Sequence, residues 1–271
     1  MKRSLTRLFL AAALAGFTMT GAFAASAAVG SVFVASNAPG GNEILVFDRD
    51  VEGGLTPAGY VATGGSGTGG GLGNQGGLVL TNDERFLFVV NAGSDSISAF
   101  AIGPDGPELV DTVPSGGVRP VSIAVDRRLL YVVHAGGAVG AQDSVTGFRI
   151  GPQGTLEPIA GSSQPLSADS TAPAQVGFSV DGRFLLVTEK ATNAISVFPV
   201  QADDTLGAGS AQPSIGATPF GFDVDRRGRI FVSEAFGGAA DLSTVSAYEI
   251  DANGNLAILD ASSPTTETAA C

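Results

Sequence analysis

Several side chains able to do acid–base chemistry recur at the ends of short apolar runs. Asn91, His134, Glu189 and Glu234 each close such a run, Lys190 follows Glu189 directly, and Gln75, Arg119, Gln175 and Phe220 stand where other runs begin. An imidazole or carboxylate that takes a proton from water, facing a guanidinium or ammonium that steadies a developing oxyanion, is enough to attack an ester. His134, Glu189, Arg119 and Glu234 are therefore read as candidate catalytic groups, and Asn91, Gln175 and Lys190 as candidate substrate contacts. A plainer reading stands beside this one, in which the same residues are polar strand ends around a wet channel.

These residues can meet only if the runs that carry them are arranged around a common axis. The runs repeat. Leu78 to Asp83, Val121 to Asp126, Val176 to Asp181 and Phe220 to Asp225 are each followed by a second run, ending in Asn91, His134, Thr188–Glu189 and Ser233–Glu234. Third runs end at the rings of Phe100, Phe148, Phe198 and Tyr248, and fourth runs are read at Gly106 to Leu109, Gly154 to Leu156, Asp204 to Leu206 and Gly254 to Leu256. The period is about 45 residues, and the alternation within each run is that of strands. The chain is thus expected to be all-β, a β-propeller of four-stranded antiparallel blades, with repeats near 30–65, 76–117, 120–166, 175–216 and 220–261. The first repeat has three strands, and the tail from Ser262 to Cys271 offers none to complete it. About five blades are expected, in a propeller that ends short of closing its ring and leaves open edges able to self-associate.

Composition narrows the chemistry. One histidine and one cysteine in 271 residues exclude multi-histidine and multi-thiolate metal sites and any internal disulfide. No metal or cofactor is expected. The spacing Gly65-x-Gly67-x-x-Gly70 precedes a strand without a βαβ unit, so it is read as a loop rather than a dinucleotide site. Asp251-Ala252-Asn253-Gly254-Asn255 lacks the glycine and glutamate of a calcium loop and is read as a hairpin turn. Arg85, Arg128 and Arg183 sit beside Asp residues in the turns joining first and second strands and are expected to hold those turns.

Lys2, Arg3 and Arg7, the apolar stretch from Leu8 to Phe17, and Ala22-Phe23-Ala24 follow the order of a secretory leader, read as residues 1–24. The remaining 25–271 form the propeller domain, expected to be exported to the periplasm or beyond. Loss of the leader leaves 11 basic residues against 26 acidic ones, a net charge of −15. Such a surface disfavours nucleic acid and anionic lipid, and no membrane insertion is expected.

The stretches Leu78-Val79-Leu80-Thr81-Asn82-Asp83-Glu84-Arg85-Phe86-Leu87-Phe88-Val89-Val90-Asn91 and Gly177-Phe178-Ser179-Val180-Asp181-Gly182-Arg183-Phe184-Leu185-Leu186-Val187-Thr188-Glu189-Lys190 resemble the lactonase family of seven-bladed β-propellers. That family takes in propeller-type 6-phosphogluconolactonases and carboxymuconate cyclases. Gly67 to Gly76 and Phe231 to Gly238 resemble its exported bacterial members. The resemblance implies seven blades, of which this chain holds about five, and cofactor-independent hydrolysis or formation of a lactone at the channel mouth. The alternative is a non-catalytic surface or periplasmic propeller that binds a protein or glycan, with the insertion from Gly136 to Ser144 as its contact.

Overall fold

The computed structural model describes residues 28–265. The leader reading and Cys271 lie outside these residues. Five antiparallel sheets follow one another along the chain. The first has three strands, β1 (Gly30–Ala35), β2 (Glu43–Arg49) and β3 (Leu55–Ala62). The second comprises β4 (Leu78–Leu80), β5 (Phe86–Asn91), β6 (Ser96–Gly103) and β7 (Gly106–Pro114). The third holds β8 (Pro120–Asp126), β9 (Leu129–His134), β10 (Ser144–Ile150), β11 (Leu156–Pro158) and the short β12 (Gln164–Pro165), which also pairs with β10. The fourth is β13 (Pro173–Phe178), β14 (Phe184–Glu189), β15 (Ala194–Pro199) and β16 (Ser210–Pro213). The fifth is β17 (Pro219–Val224), β18 (Arg229–Glu234), β19 (Thr244–Ile250) and β20 (Leu256–Pro264).

The first strands lie against one another, β4 on β8, β8 on β13 and β13 on β17, which makes them the hub of a propeller. Period-two alternation in the second strands then builds a core between each pair of sheets. On β5, Leu87 and Val89 pack toward the first sheet with Ile44, while Phe86 and Phe88 pack toward the third with Leu130 and Val132. On β9, Tyr131 and Val133 face the fourth sheet and meet Leu185 and Val187; Phe184 and Leu186 in turn meet Ile230 and Val232 of β18. Every second strand from β5 to β14 is thus apolar on both faces, as a sheet buried between two others requires.

Three fourth strands begin where the sequence reading puts them, at β7, β11 and β20, and one does not. Asp204 to Leu206 makes only an isolated bridge, Val200 to Leu206, and the strand proper is β16. The last sheet's outer strand runs on to Pro264, so the tail contributes pairing that its Ser, Thr and Pro content hid. These outer strands are largely exposed and need no apolar alternation, which removes the signal that located the inner ones.

Candidate functional site

Asn91, His134, Glu189 and Glu234 end their second strands at equivalent register positions and are all fully buried. Each lies two residues beyond a valine that faces the preceding sheet (Val89, Val132, Val187 and Val232), so each enters the joint with that preceding blade. Asn91 accepts from Asn42 Nδ2 (2.9 Å) and Thr63 Oγ1 (2.7 Å) and donates to Ser96 and Ser98. Glu189 accepts from the Ser167 amide and hydroxyl, from Thr192 Oγ1 (2.8 Å) and from Ser196 Oγ (2.6 Å). Glu234 accepts from the Gly216 amide (3.2 Å) and the Thr244 hydroxyl.

His134 Nε2 lies 3.1 Å from the Ser115 carbonyl, and Nδ1 lies 3.3 and 3.4 Å from the carbonyl and hydroxyl of Ser144. A ring protonated on Nε2 donates to Ser115 and accepts the Ser144 hydroxyl, so one neutral tautomer satisfies the site. Burial pushes its pKa down to about 4, with the flanking carbonyls opposing the shift. Three of the four joints also need glycine beside them. A Cβ at Gly65 would strike Asn91, one at Gly117 would strike His134, and one at Gly216 would strike Glu234.

No hydrogen bond links any one of these four residues to another, and the structure does not gather them at a common mouth. Arg119 and Lys190 are placed differently. Arg119 is half-buried, with its amide bonded to Asp95 Oδ1 (2.7 Å) and its side-chain Nε buried without a partner. Lys190 donates from Nζ to the Gly73 carbonyl and to Pro173 O (3.3 Å), and lies 5.0 Å from the centre of the Phe220 ring. Burial lowers its pKa, and the negative charge of Asp143 opposes that shift.

The glycine-rich segment held by Lys190 crosses the hub. Its Leu72 packs against the cores on both sides of the third sheet, Asn74 donates from its side-chain Nδ2 to Val121 O, and the Gln75 backbone amide donates to Ala174 O (2.9 Å). Gln175 extends the line: its Nε2 donates to Phe222 O (2.8 Å), and its Oε1 accepts from the Phe222 amide (3.0 Å). Gln75, Gln175, Gly221 and Asp223 then line an open depression of about 320 Å³ beside the hub. The structure therefore gathers Lys190, Gln75, Gln175 and Phe220 at one axial region. It leaves His134, Glu189, Glu234 and Asn91 in separate joints.

One recurring set escaped the sequence reading. The residue before each third strand is Asn42, Asp95, Asp143, Asn193 or Ser243. Asp95, Asp143 and Asn193 accept the amides of Arg119, Ala172 and Thr218, residues with positive φ that precede Pro120, Pro173 and Pro219. The paired signal, Asx before the third strand and X-Pro before the next first strand, was available in the sequence. Among the described residues no three His, Cys, Asp or Glu side chains come together as a metal site, and no helix is long and apolar enough to cross a membrane.

A family profile described as "Lactonase, 7-bladed beta-propeller" matches residues 41–163 and 141–271. The chain is 31% identical over 126 residues to a 6-phosphogluconolactonase of Pectobacterium atrosepticum, covering 46% of this chain and 35% of that protein. It is 26% identical over 167 residues to a 6-phosphogluconolactonase of an Enterobacter species, covering 57% and 48%. The chain thus spans half or less of the length of these curated relatives. Among solved structures, a periplasmic gluconolactonase of Pseudomonas aeruginosa aligns with a TM-score of 0.62 at 19% identity, covering 86% of this chain and 69% of that one, a likeness of fold.

Proposed function

Because the chain belongs to the family of seven-bladed β-propeller lactonases, we propose that its axial region binds a lactone and opens or closes the ester ring without a cofactor. The observation that carries this reading is the Lys190 ammonium. It is partly desolvated, fixed by two carbonyls and set over an aromatic ring beside the hub. An ammonium has three donors, and two are engaged here. The third is available to the carbonyl oxygen of a bound lactone, where it stabilises the tetrahedral oxyanion as water adds and the ring C–O bond breaks. Gln75 and Gln175 shape the neighbouring depression, and the unpaired Arg119 Nε is a second candidate for the same charge.

His134, Glu189 and Glu234, expected from sequence to act on the substrate, enter this reading as positioning residues through the joints they fill. The net charge favours a neutral lactone over a phosphorylated one. Export belongs to the same reading, supported by the basic, apolar and Ala22-Phe23-Ala24 order at the start of the chain. Self-association belongs to it too, supported by the exposed Val34 and Tyr60 on the first sheet.

Turnover of glucono-δ-lactone by Lys190→Met tests the proposal. A loss of about 100-fold in kcat/KM with an unchanged fold is expected for removal of an oxyanion donor. Full retention of turnover overturns it. A second reading, a non-catalytic propeller that captures a protein or glycan on its disc face, is favoured by one observation: the imidazole and both carboxylates expected to act are enclosed. Absence of turnover on a lactone panel, with capture that is lost on deleting the 136–144 loop, is the outcome that selects it.

A further inference from the structure

A larger cavity than the axial depression opens at the opposite end of the sheets, between the second and third blades. It measures about 460 Å³ and is walled by Val79, Leu80, Phe86, Val125, Ile150 and Pro152. Three guanidinium groups border it, from Arg85, Arg127 and Arg128, together with the carboxylates of Asp83 and Asp126.

The repeat itself shows which of these charges are free. In the fourth and fifth sheets the arginine that enters the second strand is paired, Arg183 with Asp181 (2.5 Å) and Arg229 with Asp225 (2.6 Å), while the exposed Arg226 and Arg227 of the fifth turn do not line the cavity. In the second, the exposed Asp83 accepts the Thr81 hydroxyl (2.7 Å) and makes no ion pair among the described residues, while Arg85 lies 5.0 Å from the Phe86 ring and reaches Pro152 O (3.4 Å). In the third sheet Asp126 pairs with Leu129 across a two-residue turn, and both turn residues are exposed arginines whose side chains make no hydrogen bond or ion pair among the described residues, while the Arg128 carbonyl accepts the Ile150 amide (2.8 Å).

The turn holds Arg127 at positive φ (53°), as the corresponding turns hold Glu84 (58°), Gly182 (72°) and Gly228 (82°). Two adjacent unpaired guanidiniums beside an apolar wall make the recognition surface for a planar anion with a hydrophobic body.

We infer that this inter-blade cavity binds an amphipathic organic carboxylate, its carboxylate forked by Arg127 and Arg128 and its body lying on Leu80, Val125 and Ile150. Its volume falls in the range of pockets that enclose small organic ligands. The site is separate from the axial region and does not depend on lactone chemistry.

The test is an amide-shift titration of the full chain with octanoate, octanol and inorganic phosphate. Saturable shifts with octanoate at residues 79–86 and 125–129 are expected, with octanol and phosphate each weaker by about tenfold or more, the scale of one lost charge-assisted contact or apolar wall. Arg127→Gly keeps the turn geometry, and this change and Arg128→Ala should each weaken octanoate by about tenfold. The inference is overturned by the absence of saturable octanoate binding, by shifts that map elsewhere, by an Arg127→Gly/Arg128→Ala chain that binds unchanged, or by phosphate binding as tightly as octanoate.

Discussion

The two ends of each sheet carry polar residues at repeating positions, and the protein treats them oppositely. At the end where second strands finish, Asn91, His134, Glu189 and Glu234 are sealed into the joints between blades and met by hydroxyls, amides or carbonyls. At the end where first strands turn into second ones, Asp181–Arg183 and Asp225–Arg229 pair in the open, and the Arg127 and Arg128 side chains have no partner among the described residues. Strand phase separates the two. A residue in phase with a core valine is carried into the interface, whereas a turn residue projects past the edge of both faces. Polar identity at a repeat position therefore reports a joint at one end and a recognition surface at the other.

The sharpest way to break that contrast is to disable one joint. Glu189→Leu removes an acceptor from Ser167, Thr192 and Ser196 at once and should cost about 3–5 kcal/mol, lowering the melting temperature by about 10 °C. A melt within 2 °C of the parent chain, by circular dichroism, would show that the joint is dispensable.

The next effect is one of pH. The His134 pKa is held at about 4, against 6.5 for the free side chain, because the buried ring resists protonation. Between those values the unfolded chain binds the extra proton. His134's contribution is complete above pH 6.5, is lost as pH falls through about 4, and amounts to about 3 kcal/mol over that window. Urea unfolding at pH 7 and 4.5 should show this slope in the parent chain, superimposed on carboxylate titrations. His134→Gln should flatten it, and an equal slope in both chains contradicts the assignment.

The smallest effect belongs to the turns. Arg183→Ala breaks an ion pair that is about half exposed and should change stability by no more than about 0.5 kcal/mol. A larger loss would mean that the turn end bears weight as the joints do.

Much of the architecture was legible because it rests on strand alternation. Phe86 to Val90, Leu129 to Val133 and Phe184 to Thr188 have to be buried on both faces, and a repeat of such runs leaves few solutions besides stacked blades. The candidate site was less legible. The end of a strand can be read from sequence, but the face taken by its last side chain depends on phase, and the fixed valines two residues earlier carried that information. Lys190 lies one residue past this phase and escapes the joint. The fourth sheet's outer strand alone escapes the sequence reading, because Ser210–Pro213 is largely exposed and carries no apolar alternation.

The joints have one more consequence, for how the modules find their order. Neighbouring blades built on the same plan present similar apolar faces, and a chain of interchangeable parts invites mispairing during assembly. Here one socket is cut for a carboxamide, one for a neutral imidazole and two for carboxylates with different donors, so a blade docked out of turn would bury a charge or a lone pair against the wrong lock. The polar residues thus act as a serial number along the row of blades, spending some stability to make a single order the one that packs cleanly.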